Sequence, residues 1–203
     1  MILSRFQYVT VPGFSGELTE DVAAFMEANG RPKTLGHMRD VAEMSLRIGR
    51  MHGLDLRKCE YAALMHDISA VIKPGDMLEY AKGAGMALCE AEEKFPFLLH
   101  QRMSEIVARE YFGIVDRERL SAISVHTTLR AHADEYDMTL FIADKLAWDQ
   151  EGTPPFYDKV YSLLDDLPSA CIAYMEYMQD SGKLLCPHTL WTEGFEYLAA
   201  RRK

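Results

Sequence analysis

Ala62-Ala63-Leu64-Met65-His66-Asp67-Ile68-Ser69 is the stretch on which the reading of this chain turns. Four apolar residues lead into an adjacent imidazole and carboxylate, and another apolar residue follows. A surface pair needs no apolar run in front of it, and a buried one needs a partner. Four other segments repeat the situation. His37 precedes Met38 and Val41, His100 follows Leu98 and Leu99, and His126 follows Ile123 and Val125. Asp144 sits among Phe141, Ile142, Ala143 and Leu146. Taken singly, His37 reads as a capping or surface histidine and His100 and His126 as satisfied core histidines. Asp144 alone reads as an ion-pair partner of Lys145 or a distant Arg. Taken together, in the order H, HD, H, H, D, they ask for one shared partner. Four imidazoles and two carboxylates without a thiolate suit divalent transition metals, and the set is large enough for two ions.

Outward from these segments the periodicity is helical. Val22, Ala23, Phe25 and Met26 form a stripe that stops at Asn29-Gly30. Thr34 is the expected cap of the next helix, which Gly53 ends, and Asp55 the cap of the helix that carries His66-Asp67. Pro74-Gly75 and Gly83 to Gly85 are breaks. His100 opens a long helix ending at Gly113, and Asp116 caps the one before His126. Asp137 caps the helix of Asp144. Pro154-Pro155 closes this region, and amphipathic helices follow at about 157–166, 168–180 and 188–201, with Pro168 and Pro187 in first-turn positions. Residues 2–11 alternate loosely and predict a short strand or extended arm. The expected architecture is an all-α helical bundle in one domain, 1–203. Its core spans about 34–150, with a short N-terminal arm and a C-terminal helical extension over about 155–203.

Composition narrows the function. The chain has 203 residues, 48% hydrophobic and 26% charged, which suits a soluble domain with its own core. Its net charge of -9 argues against a nucleic-acid partner, which needs a basic stripe. Cys59, Cys89, Cys171 and Cys186 form no C-x-x-C pair and read as buried thiols in a reducing compartment. No apolar run approaches the ~18 residues of a membrane span. The start MILSRFQYVTV lacks a sustained apolar core and a cleavage site, so the expected location is cytoplasmic. Twelve Met suit a helical core with irregular gaps. The apolar run Tyr174-Met175-Glu176-Tyr177-Met178 exceeds what one helix face needs, so it and the N-terminal arm predict a homodimer.

The motifs GHMRDVAEMSLRIG (36–49), AALMHDIS (62–69), PFLLHQ (96–101), AISVHTT (122–128) and LFIADKLAW (140–148) resemble, in this order, the HD-domain metal phosphohydrolases. More narrowly the chain is similar to the YqeK-type enzymes that split diadenosine tetraphosphate symmetrically into two ADP. The resemblance covers about Thr34 to Asp149. It implies metal ligation by His37, His66, Asp67, His100, His126 and Asp144. Asp67 would bridge two ions, iron in this group, and form with His66 the catalytic pair. The chain departs from the group at Ser69-Ala70, where a basic residue is common, and at Gln101 and Leu129, where Gly is usual. After Asp144 it carries Lys145-Leu-Ala-Trp148 in place of an acidic-Pro segment.

Two ions a few ångströms apart suit in-line attack of water on a phosphate, and no nucleophilic side chain or P-loop competes for the role. Arg102 and Arg130 are candidate phosphate contacts, two and four residues beyond a ligand, with Lys73 a third. Thr127 and Thr128 offer hydroxyls beside His126. Lys145 follows a ligand but is turned by about 100° on a helix, so its contact depends on reach. The expected activity is hydrolysis of a dinucleoside polyphosphate. The alternatives are a one-metal HD-type 5′-nucleotidase or nucleoside triphosphatase, and a non-catalytic nucleotide-binding HD protein.

Overall fold

The structure, a computed structural model, describes residues 1–148 and 150–202, so Asp149 at the end of the motif region lies outside the described residues. It is all-α, with no strand among the described residues. Helices α1 (Leu18–Ala28), α2 (Pro32–Met51), α3 (Leu56–Met65), α4 (Pro74–Gly83) and α5 (Glu90–Lys94) lead to α6 (His100–Glu110), α7 (Arg117–Val125) and α8 (Glu135–Leu146). The chain then runs through α9 (Tyr157–Tyr161), α10 (Leu167–Asp180) and α11 (Thr189–Ala199). Helix α2 packs on α3 and α8, and α7 packs on α3, α6 and α8. This bundle points the ends of α3, α7 and α8 at one another.

The helix boundaries follow from local chemistry. Asp55 accepts the N–H groups of Arg57 and Lys58, and Asp116 that of Arg119, which satisfies first-turn donors that no carbonyl serves. Two expected caps are displaced. Helix α2 starts at Pro32, whose fixed φ suits a first turn, and this leaves Thr34 inside it. Helix α8 is capped by Asp134, and Asp137 is the reciprocal third residue of its capping box. Pro187 also falls outside the first turn, because His188 is the cap of α11.

The N-terminal segment is neither strand nor free arm. Leu3–Arg5 form a 3-10 turn, and Ile2, Leu3 and Phe6 are buried. The Ile2 N–H donates to Glu110 at 2.6 Å. Much of the apolar run on α10 is core: Tyr174 and Met175 are buried, and the half-buried Tyr177 and Met178 pack against the core. Buried apolar side chains run without a gap from Ile2 to Leu198. Phe141 of α8 meets Tyr174 edge-on at 5.6 Å and Trp191 at 6.0 Å, joining α10 and α11 to the bundle.

One helix seat is set by a glycine. A Cβ on Gly194 of α11 would lie 3.1 Å from the Arg130 backbone N and C and 3.2 Å from its Cα. That backbone cannot easily give way, because Leu129 and His132 on either side already hold φ of 58° and 56°. Gly36 of α2 has nothing near its absent Cβ. Gly36→Ala should therefore stabilise the fold by about 0.5–1 kcal/mol through helix propensity. Gly194→Ala should lose that gain and destabilise by about 1 kcal/mol through overpacking. Urea denaturation of both variants checks this. Equal shifts for the two would show that α11 does not seat on Arg130.

Candidate metal centre

Three of the four motif histidines are oriented by one repeated device. His66 and His126 stand at the C-caps of α3 and α7, and His100 at the C-cap of the 3-10 turn Pro96–Leu99. Each ring turns back so that Nδ1 meets the carbonyl three residues earlier: Ala63 at 2.7 Å, Phe97 at 2.6 Å and Ile123 at 2.8 Å. A carbonyl only accepts, so Nδ1 carries the proton and Nε2 keeps its lone pair. All three lone pairs face one centre.

The two carboxylates complete it. His100 Nε2 and His126 Nε2 lie 3.5 and 3.7 Å from Asp67 Oδ1, and His66 Nε2 lies 3.6 Å from Asp67 Oδ2 and from Asp144 Oδ1. His37, from the second turn of α2, places Nε2 3.0 Å from Asp144 Oδ1. The six motif side chains thus converge in one cleft. They form two overlapping donor sets, His37–His66–Asp67 and Asp67–His100–His126, with Asp67 common to both.

The donors fit cations. His66 Nε2 is buried with no hydrogen-bond partner in the protein. His100 Nε2 and His126 Nε2 face each other at 2.9 Å, and with both Nδ1 positions protonated this is lone pair against lone pair. A metal ion between such groups turns repulsion into ligation. Burial, followed by the neighbouring His66 and His100, holds the His126 imidazole well below its usual pKa, so the ring stays neutral as a ligand must.

The predicted substrate contacts divide. Lys145 is only 13% exposed and reaches Asp144 Oδ2 directly, with its Nζ 3.3 Å from the His126 carbonyl. The side chain folds back over Phe141 along α8, so the expected ion pair of Asp144 with Lys145 is present beside the His37 contact. Burial opposes the ammonium, but the Asp144 carboxylate outweighs it and raises the Lys145 pKa. Thr127 Oγ1 lies 3.1 Å from His100 Nε2, at the edge of the centre. Thr128 turns away to Gln101 at 3.1 Å. Arg102 grips Glu92 at 2.9 Å and the Ala87 carbonyl, and Arg130 grips the fully buried Asp137 at 2.9 Å. Both expected phosphate contacts thus pair with buried carboxylates, while their side chains stay partly exposed. The Lys73 ammonium lies over the Tyr8 ring at 4.6 Å, beside the N-terminal segment.

Positions where the chain departs from the resemblance also acquire roles. Buried Gln101 accepts the Thr127 N–H at 3.1 Å and holds the loop after α7. Leu129 has a left-handed φ of 58°, the backbone that makes Gly usual there, and its side chain is fully buried. Burial of that side chain offsets a strain of about 1–2 kcal/mol. Ser69 Oγ donates to the His100 carbonyl at 2.9 Å.

Cys89, Glu92 and His188 form a third cluster. It differs from the centre in tautomer. His188 Nδ1 accepts the Leu190 N–H at 3.1 Å, so its proton is on Nε2, which stands 3.5 Å from Glu92 Oε1. Burial works against the Glu92 carboxylate, but His188, the Cys89 N–H and Arg102 together hold its pKa down to about 2. Arg102 of α6 and Glu92 of α5 form the ion pair here, and the neutral His188 at the start of α11 stands beside it.

Beside the centre lies a cavity of about 250 Å³ with mostly apolar walls. Thr127, Thr128 and Lys145 form the side nearest the centre, while Phe97, Tyr174 and Trp191 supply aromatic walls. Trp191, Tyr174 and His188 carry no motif signal, since they come from helices that read only as amphipathic.

A helical fold that gathers the H, HD, H, H, D set in one cleft defines the HD superfamily of metal-binding domains. The chain belongs to the HD-domain family, whose match covers residues 34–149. It is 38% identical over 122 residues to an uncharacterised protein in the pepC 5′ region of Lactococcus lactis subsp. cremoris, covering 60% of this chain and 63% of that protein. It is 28% identical over 116 residues, 55% of this chain and 57% of the relative, to a symmetrical bis(5′-nucleosyl)-tetraphosphatase of Staphylococcus aureus. A protein of the same name from Halalkalibacterium halodurans is 29% identical over 110 residues, 53% of this chain and 57% of the relative. The matched region thus spans about three fifths of the length of these relatives. A crystal structure from Clostridium acetobutylicum, described as a predicted HD superfamily hydrolase involved in NAD metabolism, shares the fold. Its TM-score is 0.82 at 23% identity, covering 90% of this chain and 97% of that one. No helix among the described residues is long and apolar enough to cross a membrane.

Proposed function

We propose that this protein is a metal-dependent phosphohydrolase that cleaves dinucleoside polyphosphates, diadenosine tetraphosphate to two ADP. The observation that carries the reading is the sharing of Asp67 between two donor sets, which suits a pair of ions. The Staphylococcus and Halalkalibacterium relatives support the substrate class by their names. The ligands are His37, His66, Asp67, His100, His126 and Asp144, and the ions are two iron ions, with Mn, Co or Ni as substitutes. When bound, such a pair supplies a water of lowered pKa and positive charge for the attacked phosphate.

The chain's own groups do the rest. Asp67 presents one oxygen to His100 and His126 and the other to His66, so it holds both halves of the centre at a fixed separation. The ammonium of Lys145 and the hydroxyl of Thr127 stand where a phosphate chain entering from the cavity must pass. The cytoplasm is the expected site of action. A homodimer through the N-terminal segment or the C-terminal helices belongs to this reading: Ile2, Leu3 and Phe6 pack within the chain, while Tyr8, Val11 and Phe14 are exposed, and a one-chain mass in solution scattering would end that idea.

The test is product analysis on protein reconstituted anaerobically with Fe(II) or Mn(II). Symmetric cleavage needs water to attack the second phosphate from one end. Diadenosine tetraphosphate should then give ADP alone, with ADP a competitive inhibitor because it fills the same half-site. ATP plus AMP would refute the assignment. Release of free phosphate from monophosphates, with polyphosphates untouched, would mark a nucleotidase.

A further inference from the structure

We propose that the cavity beside the centre is a purine-base pocket built largely by the C-terminal helices, in which the Trp191 Nε1–H and the His188 Nε2–H recognise acceptor atoms on the base. The inference rests on the nucleotide reading above and assigns the part of the substrate that the metal centre does not touch.

Two buried donors lack acceptors. Trp191 is 5% exposed and lines the cavity, and its Nε1–H, which can only donate, has no hydrogen-bond partner in the protein. His188 is 6% exposed, lines the same cavity, and its Nε2 also lacks a hydrogen-bond partner. Because Nδ1 accepts the Leu190 N–H, Nε2 carries the hydrogen. Glu92 Oε1 stands 3.5 Å from it, a long electrostatic contact that leaves the N–H without a hydrogen-bond partner. A buried donor left unsatisfied costs about 1–3 kcal/mol, so two on residues that line one apolar cavity point to a ligand that supplies acceptors.

The walls select the ligand class. Phe97, Tyr174 and Trp191 offer flat apolar surface, and Lys145 and Thr127 link the cavity to the His/Asp centre. A planar heterocycle with ring-edge nitrogens satisfies both the aromatic walls and the two donors, while its phosphates extend toward the centre. A bare polyphosphate would satisfy neither. Trp191 and His188 lie beyond residue 149, outside the HD match, so the family core would supply the metal site and the extension the base preference. The Arg102–Glu92–His188 chain of contacts makes Arg102 a positioning residue for this wall.

Trp191→Phe removes the N–H and keeps an aromatic ring against Phe141 and Tyr174. His188→Asn removes Nε2–H and keeps a residue type well suited to cap α11. For each variant two quantities are read on metal-loaded full-length protein. These are the KM for diadenosine tetraphosphate against that for tripolyphosphate, and adenosine affinity by calorimetry. The expected result is a KM that rises about tenfold more for the dinucleotide than for tripolyphosphate, and adenosine binding about tenfold weaker, the loss of one hydrogen bond each. Equal KM changes on both substrates, or adenosine affinity that matches wild type, would overturn the pocket. If neither polyphosphate is turned over, the hydrolase reading fails and the adenosine measurement alone decides the pocket: weakened binding upholds it, absent or unaltered binding overturns it.

Discussion

Asp67→Asn is expected to lower turnover by about 1,000-fold or more, the scale on which removing preorganised electrostatic stabilisation acts, and to empty both halves of the metal centre while leaving the bundle folded. Both donor sets use Asp67, so no variant of a single histidine should have the same reach. The amide keeps the volume of the carboxyl, and the ring orientations of His66, His100 and His126 depend on backbone carbonyls and not on Asp67. The metal-free variant should therefore melt close to the metal-free wild type. The difference appears on adding metal. Wild type should gain about 4 kcal/mol at free metal 1,000-fold above Kd, and the variant little of it. Elemental analysis with thermal melts checks this, and undiminished metal content would show that the His-Asp pair serves structure alone.

The six convergent residues were legible in the sequence because each conflicts with its surroundings. A charge in Phe-Ile-Ala-Asp or a His-Asp pair after Ala-Ala-Leu-Met has no local reason to be there, and only a distant partner resolves it. Caps such as Asp55 and Asp116 were legible because their effect spans three residues. The errors arose where two local signals compete, as Pro32 against Thr34 and Asp134 against Asp137. The ion pairs of Arg102 and Arg130 were not legible for another reason. Their offset from a ligand gives direction along the helix, but the carboxylates that claim them, Glu92 and Asp137, come from α5 and from the first turn of α8. Residues 2–11 looked like a strand because alternation also describes a short 3-10 segment with its apolar side down. Trp191 carries ordinary helical periodicity and the apolar surplus around Tyr174 reads as an interface, and only tertiary packing makes them a wall.

Lys145→Met should separate the two duties of the most buried cation at the site. In the metal-free protein its ammonium is the positive charge beside Asp144 Oδ2, while His37 serves Oδ1. Burial pushes the Asp144 pKa up, but Lys145 and the His37 hydrogen bond hold it well below the usual carboxylate range. Removing one partner of such a pair leaves a buried charge exposed to its full desolvation penalty, about 3 kcal/mol or more. Met fills much of the vacated space along Phe141, so lost packing should be the smaller part. The metal-free variant should thus melt well below wild type. Added Mn(II) should recover more stability than it gives wild type, because the incoming cation replaces the missing charge and no longer meets a neighbouring ammonium. Turnover should still fall about 100-fold in kcat with metal saturating, since on the proposed reading a phosphate passing from the cavity would lose a buried cationic contact. A metal-free melting temperature equal to wild type would show that the ion pair adds nothing to stability. An unchanged kcat at saturating metal would confine Lys145 to holding Asp144 in place.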